Sequence, residues 1–254
     1  MIEKYALQNK LWDMHPELLD MINNNKYVVV TKSRNVGFTS LMAAYVACEM
    51  ALNSDGNNDI YRVRYIPGNC NTKYDFLSLV KRYISNIPLE LYTCEKFIIK
   101  DKGDELHLGK AILTVKGYNT EVSESNYYDS IIYDEPVIGI INKKVDMVDR
   151  INKLLLKAPK LIIGGTPNHN NNSWYTVVLD AKNNGNYFVL PWTINKNHRL
   201  GKDDMPVMIP ESDGKTITTN RWLEELESSY INPNDFEEEI LCKIWREKIV
   251  KEYI

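Results

Sequence analysis

Residues 27–40 read Tyr-Val-Val-Val-Thr-Lys-Ser-Arg-Asn-Val-Gly-Phe-Thr-Ser: an apolar run, a polar turn with one glycine, and the start of an alanine-rich stretch. An unbroken Val-Val-Val run suits a strand buried on both faces, as in a parallel sheet. A strand that leaves through a glycine turn into a helix aims backbone N–H groups at an anion. Laid over the phosphate-loop pattern G-x-x-x-x-G-K-[ST], Gly37 and Thr39 fall on the second glycine and the hydroxyl. Phe38 stands in the lysine slot, and Lys32 stands where the first glycine belongs. The segment predicts a phosphate loop whose lysine has moved to its beginning.

Two more segments add weight to that mismatched loop. Ser130-Ile131-Ile132-Tyr133-Asp134-Glu135 is a short apolar run ending in adjacent carboxylates, the form of a central strand with acids at its tip. Nucleotide hydrolysis needs both: Asp134, with the Thr39 hydroxyl, is expected on Mg²⁺, and Glu135 on the attacking water. An isolated Asp-Glu-Pro is more often a strand end opening a turn. Leu161-Ile162-Ile163-Gly164-Gly165-Thr166-Pro167-Asn168 is a third apolar run meeting small and polar residues. Thr166 and Asn168 are candidates to contact a terminal phosphate, although the same composition makes an ordinary turn. Together the three fit one site, because ligands of open α/β sheets bind beyond the carboxyl ends of the strands.

The 254 residues suffice for one large domain or slightly more, and 44% apolar with 26% charged residues is ordinary for a globular chain. No run approaches the roughly 18 apolar residues of a membrane span, and the N-terminus lacks a signal-peptide pattern. Cys48, Cys70, Cys94 and Cys242 are scattered without a C-x-x-C pair, so reduced thiols in a cytosol are expected and zinc is not. A net charge of −3 argues against a lone monomer wrapping duplex DNA, but not against a ring that touches it with a few residues per subunit.

The remaining pattern predicts an amphipathic helix over 3–24, with His15-Pro16 as a break point, then a strand at 27–31 and a helix beginning near 41. A strand at 61–66 and a helix at 75–87 follow. Short pieces at 97–99, 105–108 and 111–115 read as antiparallel edge or ribbon strands. Strand 130–133, helix 145–156, strand 161–163, helix 174–181 and strand 187–190 complete the core. The polar stretch 195–219 marks a boundary or lid before short helices at 221–228 and 235–239. The expected organisation is an α/β core over 1–194 with a small C-terminal helical subdomain over 195–254.

At this level the chain resembles the ATPase part of the viral large terminase subunit, the motor that packs DNA into a procapsid. Lys32 through Thr39 resembles the lambda-like deviant loop, in which lysine opens the motif and an aromatic follows the glycine. The segment from Gly117 to Glu135 resembles the approach to that family's acidic strand, and Gly165-Thr166-Pro167-Asn168 its coupling motif. Pro233, Phe236-Glu237-Glu238-Glu239 and Cys242 resemble the close of its ATPase region. The resemblance implies an ASCE-type P-loop NTPase with ATP and Mg²⁺ as cofactors. ATP would lie against Lys32, Ser33, Arg34, Asn35, Val36, Gly37, Phe38, Thr39 and Ser40, with Gln8 on the adenine. Lys32, Arg34 and Glu135 would be the catalytic groups, Arg34 as a cis arginine finger.

It further implies double-stranded DNA, a portal or procapsid and a homo-oligomeric ring as partners, in the host cell cytoplasm and without a membrane. Lys143, Lys144 and Arg150 are candidates for a finger acting on a neighbour, though a solvated helix face is the simpler reading. The nuclease domain usual in that family is not expected here. Two rivals stand beside this reading: another DNA-dependent P-loop ATPase, and a catalytically weak nucleotide-binding protein, for which Phe38 is the best argument.

Overall fold

In the computed structural model, the described residues are 15–33, 36–55, 60–68, 72–88, 99–101, 103–117, 127–136, 147–167, 172–190, 209–210, 216–217, 228–229 and 242. Among the described residues the first elements are α1 (His15–Asn24), β1 (Tyr27–Lys32), α2 (Phe38–Leu52), β2 (Arg62–Pro67) and α3 (Thr72–Asn86). Next come β3 (Ile99–Asp101), β4 (Glu105–Leu108), β5 (Ala111–Val115), β6 (Ser130–Asp134), α4 (Met147–Leu155) and β7 (Lys160–Gly165). These are followed by α5 (Asn172–Asn183), β8 (Tyr187–Leu190) and a ribbon of β9 (Ile209–Pro210) and β10 (Thr216–Ile217).

Among the described residues, eight strands form one sheet in the order β3-β4-β5-β2-β6-β7-β1-β8. From β5 to β8 every pairing is parallel, and only β3-β4 and β4-β5 are antiparallel. The strands at 105–108 and 111–115 keep their predicted bounds, but β5 is not a ribbon piece: it pairs parallel with β2 through Val63↔Leu113. Its Ala111, Leu113 and Val115 are buried in the core beneath α2 and α3. α1 begins at His15, so Pro16 sits in the first helical turn, where a missing N–H costs nothing. Residues 3–14 of the predicted first helix, and nearly all of the C-terminal subdomain, lie outside the described residues.

The period of two along each strand sorts the core into layers. Val28, Val30, Tyr65, Ile132 and Ile162 face α1, α2 and α3. Val29, Ile131, Tyr133, Leu161 and Ile163 face α4 and α5. α2 has eleven of its fifteen residues buried, so it is a helix enclosed on all sides rather than an amphipathic cover.

The paired glycines at the tip of β7 serve this packing. A Cβ on Gly164 would lie 2.3 Å from the Phe38 ring, and one on Gly165 would lie 2.8 Å from the Trp174 indole. Each glycine admits one aromatic ring, on opposite faces of the sheet. Gly164→Ala is expected to destabilise by about 1–3 kcal/mol through overpacking. Urea titration will measure this, and a Phe38→Leu change in the same chain should recover part of the loss.

Candidate functional site

The ends of β1, β6 and β7 lie side by side, since β7 is inserted between the loop strand and the acidic strand. β1 finishes on Lys32, and the chain reaches α2 through Gly37, which adopts φ 76°, ψ 13°. That left-handed conformation costs glycine nothing and most other residues about 1 kcal/mol or more. Gly37 is also the N-cap of α2 and has no side chain to cap it, while its carbonyl accepts from Leu41 N at 2.9 Å. The first-turn amides of such a helix lack intrahelical acceptors and carry the positive end of its dipole.

Within this loop the side chains divide. Val36 and Phe38 are buried in the core, so only their backbone groups can reach a ligand. Ser33 is buried too; its hydroxyl lies 3.4 Å from Cys242 Sγ and its N–H donates to Leu190 O at 3.0 Å. Thr39 and Ser40 are half-buried at the helix start. Arg34, Asn35, Gln8, Asn168, Lys143 and Lys144 lie outside the described residues. Arg150 is half-buried on α4, with its guanidinium 5.4 Å from the Tyr133 ring centroid, so it is not part of a purely solvated face. Tyr133 belongs to the sheet face opposite α2.

Lys32 does not point into solvent. Only 6% of it is exposed; its ammonium donates to Glu135 Oε1, lies 3.7 Å from Asp134 Oδ1, and sits 5.6 Å from the Phe38 ring centroid. Phe38 thus forms an apolar wall beside the cation that arrives from the other end of the loop. Asp134 Oδ2 accepts from Thr39 Oγ1 at 2.6 Å and from Tyr65 OH at 2.8 Å. Oδ1 is buried and has no hydrogen-bond donor. Glu135 accepts from Thr166 N at 3.1 Å and from Thr166 Oγ1 at 2.7 Å. Its backbone holds φ 52°, rare for a side chain other than glycine and a mark of strain at functional positions. Glu135 N donates to Gly164 O at 2.7 Å, and a Cβ on Gly68 would fall 2.1 Å from Glu135 O. Gly68 is therefore the residue that lets the end of β2 pass against the acidic turn.

The electrostatics separate the two acids. Burial pushes the Asp134 carboxyl above the usual carboxylate range, against the opposing pull of Lys32. Burial acts the same way on Glu135, but the Lys32 ammonium and the Thr166 bonds outweigh it and hold that carboxyl low. For Lys32, burial opposes the charge, and the neighbouring carboxylates override it, so its pKa is raised. Carboxyl pairs driven apart in this way commonly carry distinct roles.

The residues fit a hard divalent cation. A buried carboxylate oxygen without a donor, on an acid bonded to a threonine hydroxyl, is an oxygen site of the kind Mg²⁺ takes. Among the described residues no group of three or more His, Cys, Asp and Glu converges on a point. Sequence reasoning named Lys32, Thr39, Asp134, Glu135 and Thr166, and the fold brings all five together. It missed Tyr65, Gly68 and the partnering of Ser33 with Cys242, none of which has a local signal.

No protein-family model matches the sequence, and no curated protein matches it. Solved structures do resemble the fold. The large terminase of bacteriophage HK97 superposes with a TM-score of 0.60 at 12% identity, over 89% of this chain and 49% of that one. The large terminase of a thermophilic bacteriophage, solved in complex with ADP, gives 0.59 at 14% identity over 91% and 52%. A Thermus phage large-terminase ATPase domain gives 0.55 at 10% identity, over 90% of this chain and 98% of that domain. The chain thus spans about half the length of the large terminases and nearly all of the isolated ATPase domain. Its fold is the P-loop ATPase fold of the phage large terminases, an eight-stranded, mostly parallel sheet flanked by helices.

Proposed function

We propose that this chain is a Mg²⁺-dependent ATPase that moves double-stranded viral DNA into a procapsid. One observation carries the reading: the displaced lysine lies at the same strand tips as the two acids, with its ammonium on Glu135 and Asp134. A solvated loop cation would have no reason to be buried there. ATP would place its phosphates over the start of α2, against the loop amides and the Ser40 side. Lys32 would then exchange its carboxylate partners for the terminal phosphates, which suits a point charge on a long stem. This exchange uncovers Glu135, which Thr166 continues to hold through two hydrogen bonds. Glu135 then takes the proton of the attacking water. Thr39 and Asp134 would hold Mg²⁺, whose contribution is to neutralise charge developing on the phosphate oxygens.

Arg34, in the same loop, is assigned to transition-state charge, and Gln8 and Asn168 to the adenine and terminal phosphate. Duplex DNA, a portal or procapsid, a homo-oligomeric ring and the host cell cytoplasm belong to this proposal. The terminase fold supports the DNA and procapsid partners, and the ADP bound to the thermophilic phage relative supports the nucleotide. No described helix is long and apolar enough to cross a membrane.

A phosphate-release assay with and without duplex DNA tests the proposal. Mg²⁺-dependent hydrolysis that rises with DNA is expected. Hydrolysis indifferent to DNA would point to another P-loop ATPase, and none in any assembly would leave a nucleotide binder.

A further inference from the structure

Tyr65 has no place in the phosphate loop, yet it ends on the same carboxylate oxygen as Thr39. Its hydroxyl donates to Asp134 Oδ2 at 2.8 Å, and Thr39 Oγ1 donates to that oxygen at 2.6 Å. The residue is 1% exposed, so no water competes for the contact. Two features aim it. β2 pairs directly with β6 in the register Tyr65↔Ile132 and Pro67↔Asp134. The ring also stacks on Phe76 of α3, with centroids 3.5 Å apart and planes 6° from parallel. A stacked ring on a paired central strand has little freedom to tilt, so its hydroxyl is fixed in space.

We infer that Tyr65 is a positioning residue for the metal-facing oxygen of Asp134. A carboxylate oxygen offers about two lone-pair sites, and the two hydroxyls fill both on Oδ2. This sets the rotation of the carboxylate and leaves Oδ1, buried without a hydrogen-bond donor, 3.7 Å from the Lys32 ammonium. Thr39 donates its proton to Oδ2 and keeps its lone pairs for a cation, so its bond to Oδ2 moves with any shift of that hydroxyl toward an ion. Tyr65 has no such second duty. Its hydroxyl holds Oδ2 while the Thr39 oxygen turns to an ion, and the carboxylate keeps one orientation throughout. Groups that orient a metal ligand in this way are worth about 10–100-fold in metal affinity.

The inference rests on the assignment of Asp134 to Mg²⁺, and the experiment keeps the two apart. Tyr65→Phe retains the ring and its stacking and removes only the hydroxyl. Mn²⁺ binding in the presence of ADP, followed by electron paramagnetic resonance, reads the site without turnover. The Mg²⁺ titration of phosphate release reads it in the working protein. Tyr65→Phe should raise the half-saturating concentration of both ions about tenfold. Its rate at saturating Mg²⁺ should stay near the parental rate. Phe76→Leu, which loosens the ring but keeps the hydroxyl, should give a smaller shift in the same direction. A Tyr65→Phe protein with parental ion dependence, and the same thermal midpoint, would overturn the inference. Asp134→Asn is the control for the assignment beneath it. If that variant also binds Mn²⁺ like the parent, Asp134 is not the ligand, and the failure lies there instead.

Discussion

Lys32→Ala is expected to destabilise the protein by about 3–5 kcal/mol and to remove triphosphate binding. The size follows from what the substitution leaves behind: two adjacent carboxylates at the sheet tips, one 4% exposed, with their shared cation gone. The cost should depend on pH in a definite direction. Glu135 is held below its ordinary value in the folded chain, burial being outweighed by Lys32 and Thr166. A depressed carboxyl contributes stability above its unfolded pKa and loses it as pH falls through the folded value. Without Lys32 that contribution disappears, so the deficit should be full at neutral pH and shrink in acid as the carboxyls protonate. Denaturant midpoints of the two proteins between pH 7 and pH 4 measure this. A deficit independent of pH would show that lost packing, not charge, is the cause. Lys32→Arg should not rescue turnover, because a planar fork cannot occupy the place of a compact ammonium beside the Phe38 ring.

Glu135→Gln is expected to bind MgATP normally and to lose about 10²–10⁴-fold in turnover. The amide oxygen can still accept from Lys32 and Thr166, and it has the same length to span the strained turn at φ 52°. What it cannot do is take a proton. Equilibrium binding of a fluorescent ATP analogue and single-turnover phosphate release separate the two effects. A variant with parental turnover would remove Glu135 from its role, and one that no longer binds nucleotide would make it a structural residue.

Much of this site is readable in one dimension because it is assembled from strand tips. Val28-Val29-Val30, Ile131-Ile132 and Leu161-Ile162-Ile163 announce buried parallel strands, and each runs directly into the residues that meet at the site. Lys32 is legible because its motif is unusual, although only the fold shows its ammonium on the acids rather than in solvent. Strand order is what local sequence withholds. Nothing around residue 65 says that β2 lies beside β6, so the Tyr65 contact to Asp134, 69 positions away, is invisible until the sheet is built. The Ser33–Cys242 contact spans 209 positions and is hidden for the same reason. Gly164 and Gly165 read as flexible turn residues, yet both lie within β7 and are small because Phe38 and Trp174 press on them. Sequence shows that a residue is small without showing what fills the space.

The most direct measurement is a crystal structure with Mg²⁺ and a non-hydrolysable ATP analogue. It should show the Lys32 ammonium transferred from Glu135 to the terminal phosphates, with Thr166 still bonded to the freed carboxylate. An analogue bound against the start of α2 while Lys32 stays paired to both acids, or one bound elsewhere on the chain, would contradict the displaced-lysine site.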